Sequence, residues 1–362
     1  MTLTNKDLKE ILGLPTRDVL DVREQNTKLF SNISIETGAA CNRRCAFCPQ
    51  AVEPRADEWM PEEMFYEIIR QLKALRYKQR ITLNSYNEPT RDTRLEKFIS
   101  HIREELPRTH ILINTNGDYL KGPEDIAKYF KAGLNAMQIN IYSSADGTGD
   151  RKRIDKGIEK AQKRYEVIKS YVDSLEWLDQ NGSIYLHGGR HGKVCQVMPK
   201  WDLQPEDVAD HANTAPAIKH GTSVRNHISN RAGSIPQFVS ELSEPLEKMC
   251  VRPFRAFMIN WRGDAYICCN DYYGDAVFGN VMEKSIEQLF NDPRYHAYRI
   301  KLQNKDRNIL LCDKCDYTGG FYQHNVQHVT LGKARDQEII NADMRTPAAA
   351  GFGNVVTLRK SK

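Results

Sequence analysis

"AACNRRCAFCPQ", residues Ala39 to Gln50, places Cys41, Cys45 and Cys48 within eight residues, separated first by three residues and then by two. The run follows "FSNISIETGA", Phe30 to Ala39, which reads as a strand leading straight into the cysteine loop. Beyond it, "MPEEMFYEIIRQLKAL" predicts a helix. Pro61 suits the first turn, Glu62 and Glu63 suit the positive end of the dipole, and Phe65, Ile68, Ile69, Leu72 and Leu75 form one apolar stripe. The alternation then continues: "RITLNSYNEP" strand-like, "LEKFISHIREEL" helical, "HILINTNG" a strand closed by Asn116-Gly117. "PEDIAKYFKAG" is a helix stopped at Gly133, "AMQINIYSS" a strand, residues 154–178 a long helix, and "KVCQVMP" a further strand.

Strands alternating with amphipathic helices predict βα units around a parallel sheet, at least five of them between residues 30 and 200. Such sheets carry their chemistry at the carboxyl ends of the strands. The cysteine loop, "YNEP", "NTNG" and "YSS" all fall there.

The 362 residues allow a sizeable core and roughly two domains. The start, "MTLTNKDLKE", lacks a signal-peptide pattern, and no apolar run is long enough to span a bilayer, so the expectation is a cytoplasmic protein without a membrane partner. The 52 basic and 47 acidic residues leave a net charge of +5, too mild to announce a nucleic-acid partner. Basic residues are interleaved with acidic ones, as in "DRKRIDKGIEKAQKRYEVIK", the pattern of a solvated helix face. Nine cysteines, an odd count, fit a disulfide framework poorly and fit metal or catalytic roles better.

A structural zinc site wants four ligands closed around one ion. A cubic [4Fe–4S] cluster has four irons, each wanting an external ligand, so three thiolates leave one iron open to a substrate or cofactor. The spacing at Cys41, Cys45 and Cys48, with Phe47 just before the third, resembles the CxxxCxφC signature of the radical S-adenosylmethionine (SAM) enzymes. "YNEP" (Tyr86 to Pro89) is similar to that family's Gly-Gly-Glu-Pro strand end, "NTNG" (Asn114 to Gly117) to its fourth-strand motif, and "INIYSS" (Ile139 to Ser144) to its fifth-strand end. The resemblance spans residues 30–200. It implies a partial (β/α)6 TIM-like barrel in which Cys41, Cys45 and Cys48 hold a cluster whose open iron chelates SAM. It implies that Glu88 accepts from the methionyl ammonium, and that Asn116, Asn140 and Ser143 contact ribose or carboxylate. Loop capping is the other reading of these three. Asn87 stands where the family has glycine. Arg151, Arg153 and Arg190 are candidates for the SAM carboxylate.

A second set begins at Cys250. "FMINWRGDAYICC" alternates around Arg262-Gly263-Asp264 and predicts a β-hairpin that brings Cys250 and Cys268 together, with "CDKC" (Cys312 to Cys315) far along the chain. Spacing alone leaves zinc and iron–sulfur open. The order resembles the start of the SPASM motif. No cysteine follows Cys315, so it is most like the shortened "twitch" form, and the resemblance implies one auxiliary [4Fe–4S] cluster on Cys250, Cys268, Cys312 and Cys315. "SNRAG" (Ser229 to Gly233) and "FGNV" (Phe278 to Val281) are similar to sequences flanking such modules. The organisation expected is an extension at 1–29, a barrel at 30–200, a linker or cap at 201–245, a β-hairpin and helix iron–sulfur module at 246–316, and a tail at 317–362.

Cys195 and Cys269 remain. Buried thiols commonly act as small hydrophobes. The sharper reading makes one of them a hydrogen-atom donor to a substrate radical, which would make the enzyme an epimerase. "LHGGRHGK" (Leu186 to Lys193) lacks the P-loop pattern and reads as a barrel loop. The resemblance implies oxidation of an organic substrate, with the auxiliary cluster taking the second electron and a flavodoxin or ferredoxin as electron donor. The alternatives are epimerisation, or maturation of a ribosomal peptide. Only about 30 residues precede the first strand, short of a separately folding leader-binding domain, which favours a small polyol or amino sugar over a peptide. From another class, a zinc-stabilised binding protein would account for the second cysteine set but not for the first.

Overall fold

The computed structural model describes residues 29–45, 47–143, 151–182, 184, 192–200, 230–236 and 242–317, with residues 151–154 described by their backbone alone. The expected N-terminal extension up to residue 28, most of the linker or cap, most of "LHGGRHGK" with Arg190, Ser144 and the tail beyond 317 lie outside the described residues.

Five strands, β1 (Asn32–Ile35), β2 (Arg80–Thr82), β3 (His110–Thr115), β4 (Ala136–Tyr142) and β5 (Val194–Lys200), lie side by side in order and all parallel. Helices connect them: α1 (Pro49–Val52), α2 (Glu62–Ala74), α3 (Leu95–Glu105), α4 (Pro123–Lys131) and α5 (Arg151–Asp173). A sixth parallel strand, β6 (Ala256–Ile259), pairs with β1 on the other side, Ile33 opposite Phe257. It comes from the stretch expected to form the separate iron–sulfur module. β7 (Asp264–Tyr266) and β8 (Val277–Asn280) extend the same sheet antiparallel, so barrel and module share eight strands among the described residues. The third strand of this sheet ends within "NTNG" and the fourth within "INIYSS". The sheet is open, as a partial barrel requires.

Side chains in a strand alternate between faces. Ile33 and Ile35, Ile81, Ile111 and Ile113, Met137, Ile139 and Ile141, and Phe257 and Ile259 enter one apolar core. The stripes of α2 and α3 close over it through Phe65, Ile68, Ile69 and Leu72, and through Leu95, Phe98, Ile99 and Ile102. Phe65 stacks on Phe98 at 4.0 Å. The other strand face carries Asn32, Ser34, Arg80, Thr82, Asn114 and Asn140, which line a cavity. The inside of the barrel is thus polar, while the apolar mass lies between sheet and helices.

The seam between β1 and β6 is fixed by aromatic rings: Phe30 stacks on Phe257 at 5.0 Å and meets Phe290 edge-on at 5.2 Å. The hairpin predicted at Arg262-Gly263-Asp264 is present, with Gly263 at φ +85°, a conformation that favours glycine. Short helices follow the pattern of caps and turns: α6 (Arg252–Arg255), α7 (Ile286–Phe290) with a capping box from Ser285 and Gln288, and α8 (Pro293–Gln303). No helix of the described residues is long and apolar enough to cross a membrane.

Candidate functional site

The cysteine loop leaves β1 and is tied down on both sides. Gln50, fully buried, donates Nε2 to the Ala39 carbonyl at 2.8 Å and accepts from the Arg55 backbone at 3.1 Å. Arg43, between the first two cysteines, forms a bidentate pair with Asp118 (2.6 and 2.7 Å) and also donates to the Tyr142 carbonyl at 3.2 Å. Asp118 also receives Asn42 Nδ2 at 2.7 Å and Arg164 at 2.9 Å. The loop is thereby bound to the turn after β3, where Gly117 sits at φ +74° with Ile139 packed beneath it. Sequence reading missed Arg43 and Asp118. The only signal was the pair of arginines inside the cysteine loop.

Cys41, Cys45 and Cys48 line one cavity of about 350 Å³ with Asn87, Glu88, Asn116, Asn140 and Arg231. Burial pushes the Cys41 thiol up to about 11 and Cys45 to about 12, and neighbouring thiolate charge adds to both. Thiols that repel one another in a buried pocket stay protonated until a cation replaces the protons. Asn116 Nδ2 lies 3.7 Å from Cys41 Sγ, and the Arg43 backbone N–H lies 3.4 Å from the same sulfur. The donor set is sulfur with N–H groups facing it, which suits an iron–sulfur cluster. Among the described residues no three His, Cys, Asp or Glu side chains converge on a point fit for one metal ion. A cubane does not demand such convergence, because its ligands are spread over four irons.

Glu88 is 3% exposed and clasps the strand ends together. Oε1 accepts from Thr90 N (3.0 Å), Thr90 Oγ1 (2.6 Å) and Thr115 Oγ1 (2.6 Å), and Oε2 accepts from Asn116 N at 2.7 Å. The resemblance implies a free acceptor for an ammonium. Of the roughly four lone-pair sites on a carboxylate, one on Oε2 is left for that purpose. Burial raises its pKa, opposed by these hydrogen bonds. Asn87 accepts from Ser85 N at 3.2 Å, while its buried Nδ2 has no partner: an orphan donor in the cavity wall. Asn140 lines the cavity, and Ser143, one residue past β4, is not among the residues that line it. The side chains of Arg151 and Arg153 and all of Arg190 lie outside the described residues.

Cys195 is fully buried in the core on β5, opposite Met137, and burial alone pushes its thiol up to about 12. It is not among the described residues lining the cavity. Cys269 does line the cavity. Its carbonyl accepts from Tyr86 OH at 2.5 Å.

The second cysteine set lies behind Cys269. Cys268 feels the charges of Cys315 and Cys312, and Cys312 those of Cys315 and Cys250, so all four thiols share one neighbourhood. Burial raises all four. Asn270, unnoticed in the sequence, donates Nδ2 to Cys315 Sγ at 3.3 Å and its backbone N–H to Cys268 Sγ at 3.4 Å. The "SNRAG" turn clips onto the same loop: Asn230 Nδ2 donates to the Lys314 carbonyl at 2.7 Å, and Asp316 accepts from Asn230 N at 2.9 Å. The next residue, Arg231, sits at φ +50° in the cavity wall, near Cys48 and Cys269.

Arg55 joins the two regions. Its guanidinium pairs with buried Glu36 at 3.0 and 3.1 Å and donates to the Tyr272 carbonyl at 2.5 Å. It lies over the rings of Tyr86, Trp261 and Tyr272 at 5.2, 4.7 and 4.3 Å.

The profile of the Radical SAM superfamily matches residues 35–176, and that of an iron–sulfur cluster-binding domain, SPASM, matches residues 250–316. An S-adenosyl-L-methionine-dependent 2-deoxy-scyllo-inosamine dehydrogenase of Niallia circulans is 23% identical over 294 residues, 80% of this chain and 94% of that protein. The crystal structure of BtrN in complex with AdoMet and 2-DOIA superposes with a TM-score of 0.55 at 20% identity, over 80% of this chain and 94% of that one. BtrN in an open conformation gives 0.50 at 19%, over 80% and 93%. The likeness to these structures establishes the fold. The two profiles, with the cysteine sets they enclose and the dehydrogenase relative, mark an oxidoreductase-type radical SAM enzyme with a SAM-binding [4Fe–4S] cluster and an auxiliary iron–sulfur cluster.

Proposed function

We propose that the enzyme dehydrogenates a hydroxyl-bearing carbon of a small polyol or amino sugar. In this reading Cys41, Cys45 and Cys48 hold the SAM-binding cluster, and Cys250, Cys268, Cys312 and Cys315 hold the auxiliary one as a [4Fe–4S] cluster. When bound, the reduced cluster and SAM supply a 5′-deoxyadenosyl radical, which takes one hydrogen atom from the substrate. The resulting carbon-centred radical would become a carbonyl by losing its hydroxyl proton and one electron, and the auxiliary cluster would be the acceptor for that electron. A flavodoxin- or ferredoxin-type protein supplies the electron that starts each cycle.

One observation carries this reading: Cys269 lines the same cavity as the first cysteine trio and is the chain neighbour of Cys268. A radical formed in the cavity therefore lies close to an electron acceptor. The polar wall of Asn84, Asn114, Asn140 and Thr82 suits hydroxyl and amino groups. The unpartnered Asn87 Nδ2 would meet a polar end of the cofactor, with Asn116 beside it, and Glu88 would hold their strand ends in place while offering a lone pair to the ammonium. The dehydrogenase relative, named for 2-deoxy-scyllo-inosamine, supports the substrate class.

The test is an anaerobic, reductive assay with 2-deoxy-scyllo-inosamine and related cyclic polyols deuterated at the carbinol carbons. Deuterium should appear in 5′-deoxyadenosine, with one ketone formed per SAM cleaved. SAM cleavage without ketone for any member of the panel would remove the reading. The cavity position of Cys269 favours a second reading, epimerisation through hydrogen return from its thiol. In that case product would take up solvent deuterium, and Cys269→Ala would stop product while 5′-deoxyadenosine still formed.

A further inference from the structure

Two arginines are buried around the second cysteine set, and they are satisfied very differently. Arg307 donates to the carbonyls of Lys248 (2.8 Å), Cys315 (3.2 Å) and Tyr317 (2.6 Å). Arg252 is 8% exposed, with its guanidinium 3.5 Å from the centre of the Tyr317 ring. Its Nη1 is buried and has no hydrogen-bond partner. Its charge acts on Cys250, Cys268 and Cys315, three of the four thiols, and on Cys269. A buried cation with an idle N–H is costly unless an anion stands against it. An iron–sulfur cluster with four thiolates is such an anion, and gains a further negative charge when reduced.

Asn270 supplies the second observation. It is buried, and its two N–H groups reach two different sulfurs, Cys268 and Cys315, from one residue. Hydrogen bonds to cluster sulfurs, nearby charge and burial are what set the potentials of such clusters. N–H···S bonds and a fixed cation both stabilise the more negative, reduced form.

We propose that Arg252 and Asn270 set the reduction potential of the auxiliary cluster and thereby make it the acceptor of the substrate-derived electron. The inference rests on the cysteine assignment proposed above. The substrate radical loses one electron and one proton to give the carbonyl, and the cluster takes the electron and is reduced by one unit. A ferredoxin- or flavodoxin-type acceptor restores it.

The test is a redox titration of the full-length, reconstituted holoenzyme followed by electron paramagnetic resonance. Added SAM shifts the signal of the cluster it binds and so separates the two. Arg252→Gln should lower the auxiliary potential by at least the ~59 mV that equals a tenfold change in a one-electron equilibrium. Asn270→Asp should lower it by about threefold in the same constant, and Arg252→Lys, which keeps the charge, should stay nearer the parent. The SAM-binding cluster should not move in any of the three. Auxiliary one-electron constants within twofold of the parent, a shift of about 18 mV or less, in fully iron-loaded Arg252→Gln and Asn270→Asp would overturn the proposal. If Arg252→Gln fails to load, Asn270→Asp decides it by the same criterion. A parent protein with only about four irons and one cluster signal would instead overturn the cysteine assignment on which the proposal stands.

Discussion

The two cysteine sets are built to opposite specifications. The first is a loop at a strand end with three thiols, facing a polar cavity of about 350 Å³ with an orphan Asn87 donor in its wall. The second brings four thiols together from three distant stretches and encloses them with Asn270, Arg252 and Arg307. An iron that must exchange a cofactor needs a missing ligand and open space beside it. A cluster that only stores an electron needs every ligand, low access to water and fixed charge to set its potential. On the cysteine assignment proposed above, the contrast gives radical generation to one region and electron uptake to the other.

The sharpest way to break this contrast is to remove one ligand of the first set. Cys45→Ala should abolish SAM cleavage, a loss of about a thousandfold or more, while the auxiliary signal and about four irons per chain remain. Loss of both clusters together would mean that the regions are not separable. Next in size is Arg55, the residue that holds them together. Arg55→Ala leaves Glu36 buried without its cation and should cost about 3–5 kcal/mol in denaturant unfolding. A smaller loss, below about 1 kcal/mol, would show that the regions are joined mainly by the aromatic seam at Phe30 and Phe257.

The second set can be opened in turn. Cys312→Ala should lower ketone formation by about a hundredfold while 5′-deoxyadenosine still appears, measured by chromatography of both products. Equal loss of both would place the auxiliary cluster in SAM cleavage itself. The smallest effect concerns acid stability of the module side. Burial pushes the His296 imidazole on α8 down to about 3, with the Arg299 charge adding to the shift. The unfolded chain binds its proton near 6.5, so between these values the unfolded state holds more protons and stability falls as pH drops. By about pH 5 the loss should be about 2 kcal/mol, and His296→Gln should flatten the curve of midpoint against pH.

Much of the site was legible because its parts are local. Three cysteines in one loop, helical stripes such as Phe65 to Leu72, and a turn at Gly117 are each written within a dozen residues, where periodicity and spacing carry the information. Cys195 and Cys269 were not distinguishable, because one sits in an apolar strand and the other follows one. Only the packing sends one into the core and the other into the cavity wall. Arg43 went unnoticed in the sequence, since its partner Asp118 lies 75 residues away.

The kind of chemistry belongs to the sequence itself: the thiolate spacings, the alternating βα pattern and the polar strand ends depend on neighbours along the chain. The union of the two regions was decided by the tertiary structure. The pairing of β6 with β1, the Arg55 bridge and the cradle of Arg252 and Asn270 all join residues far apart in the chain. Such contacts form because the folded chain must bury apolar faces and satisfy charges at once, a condition that no local pattern can express.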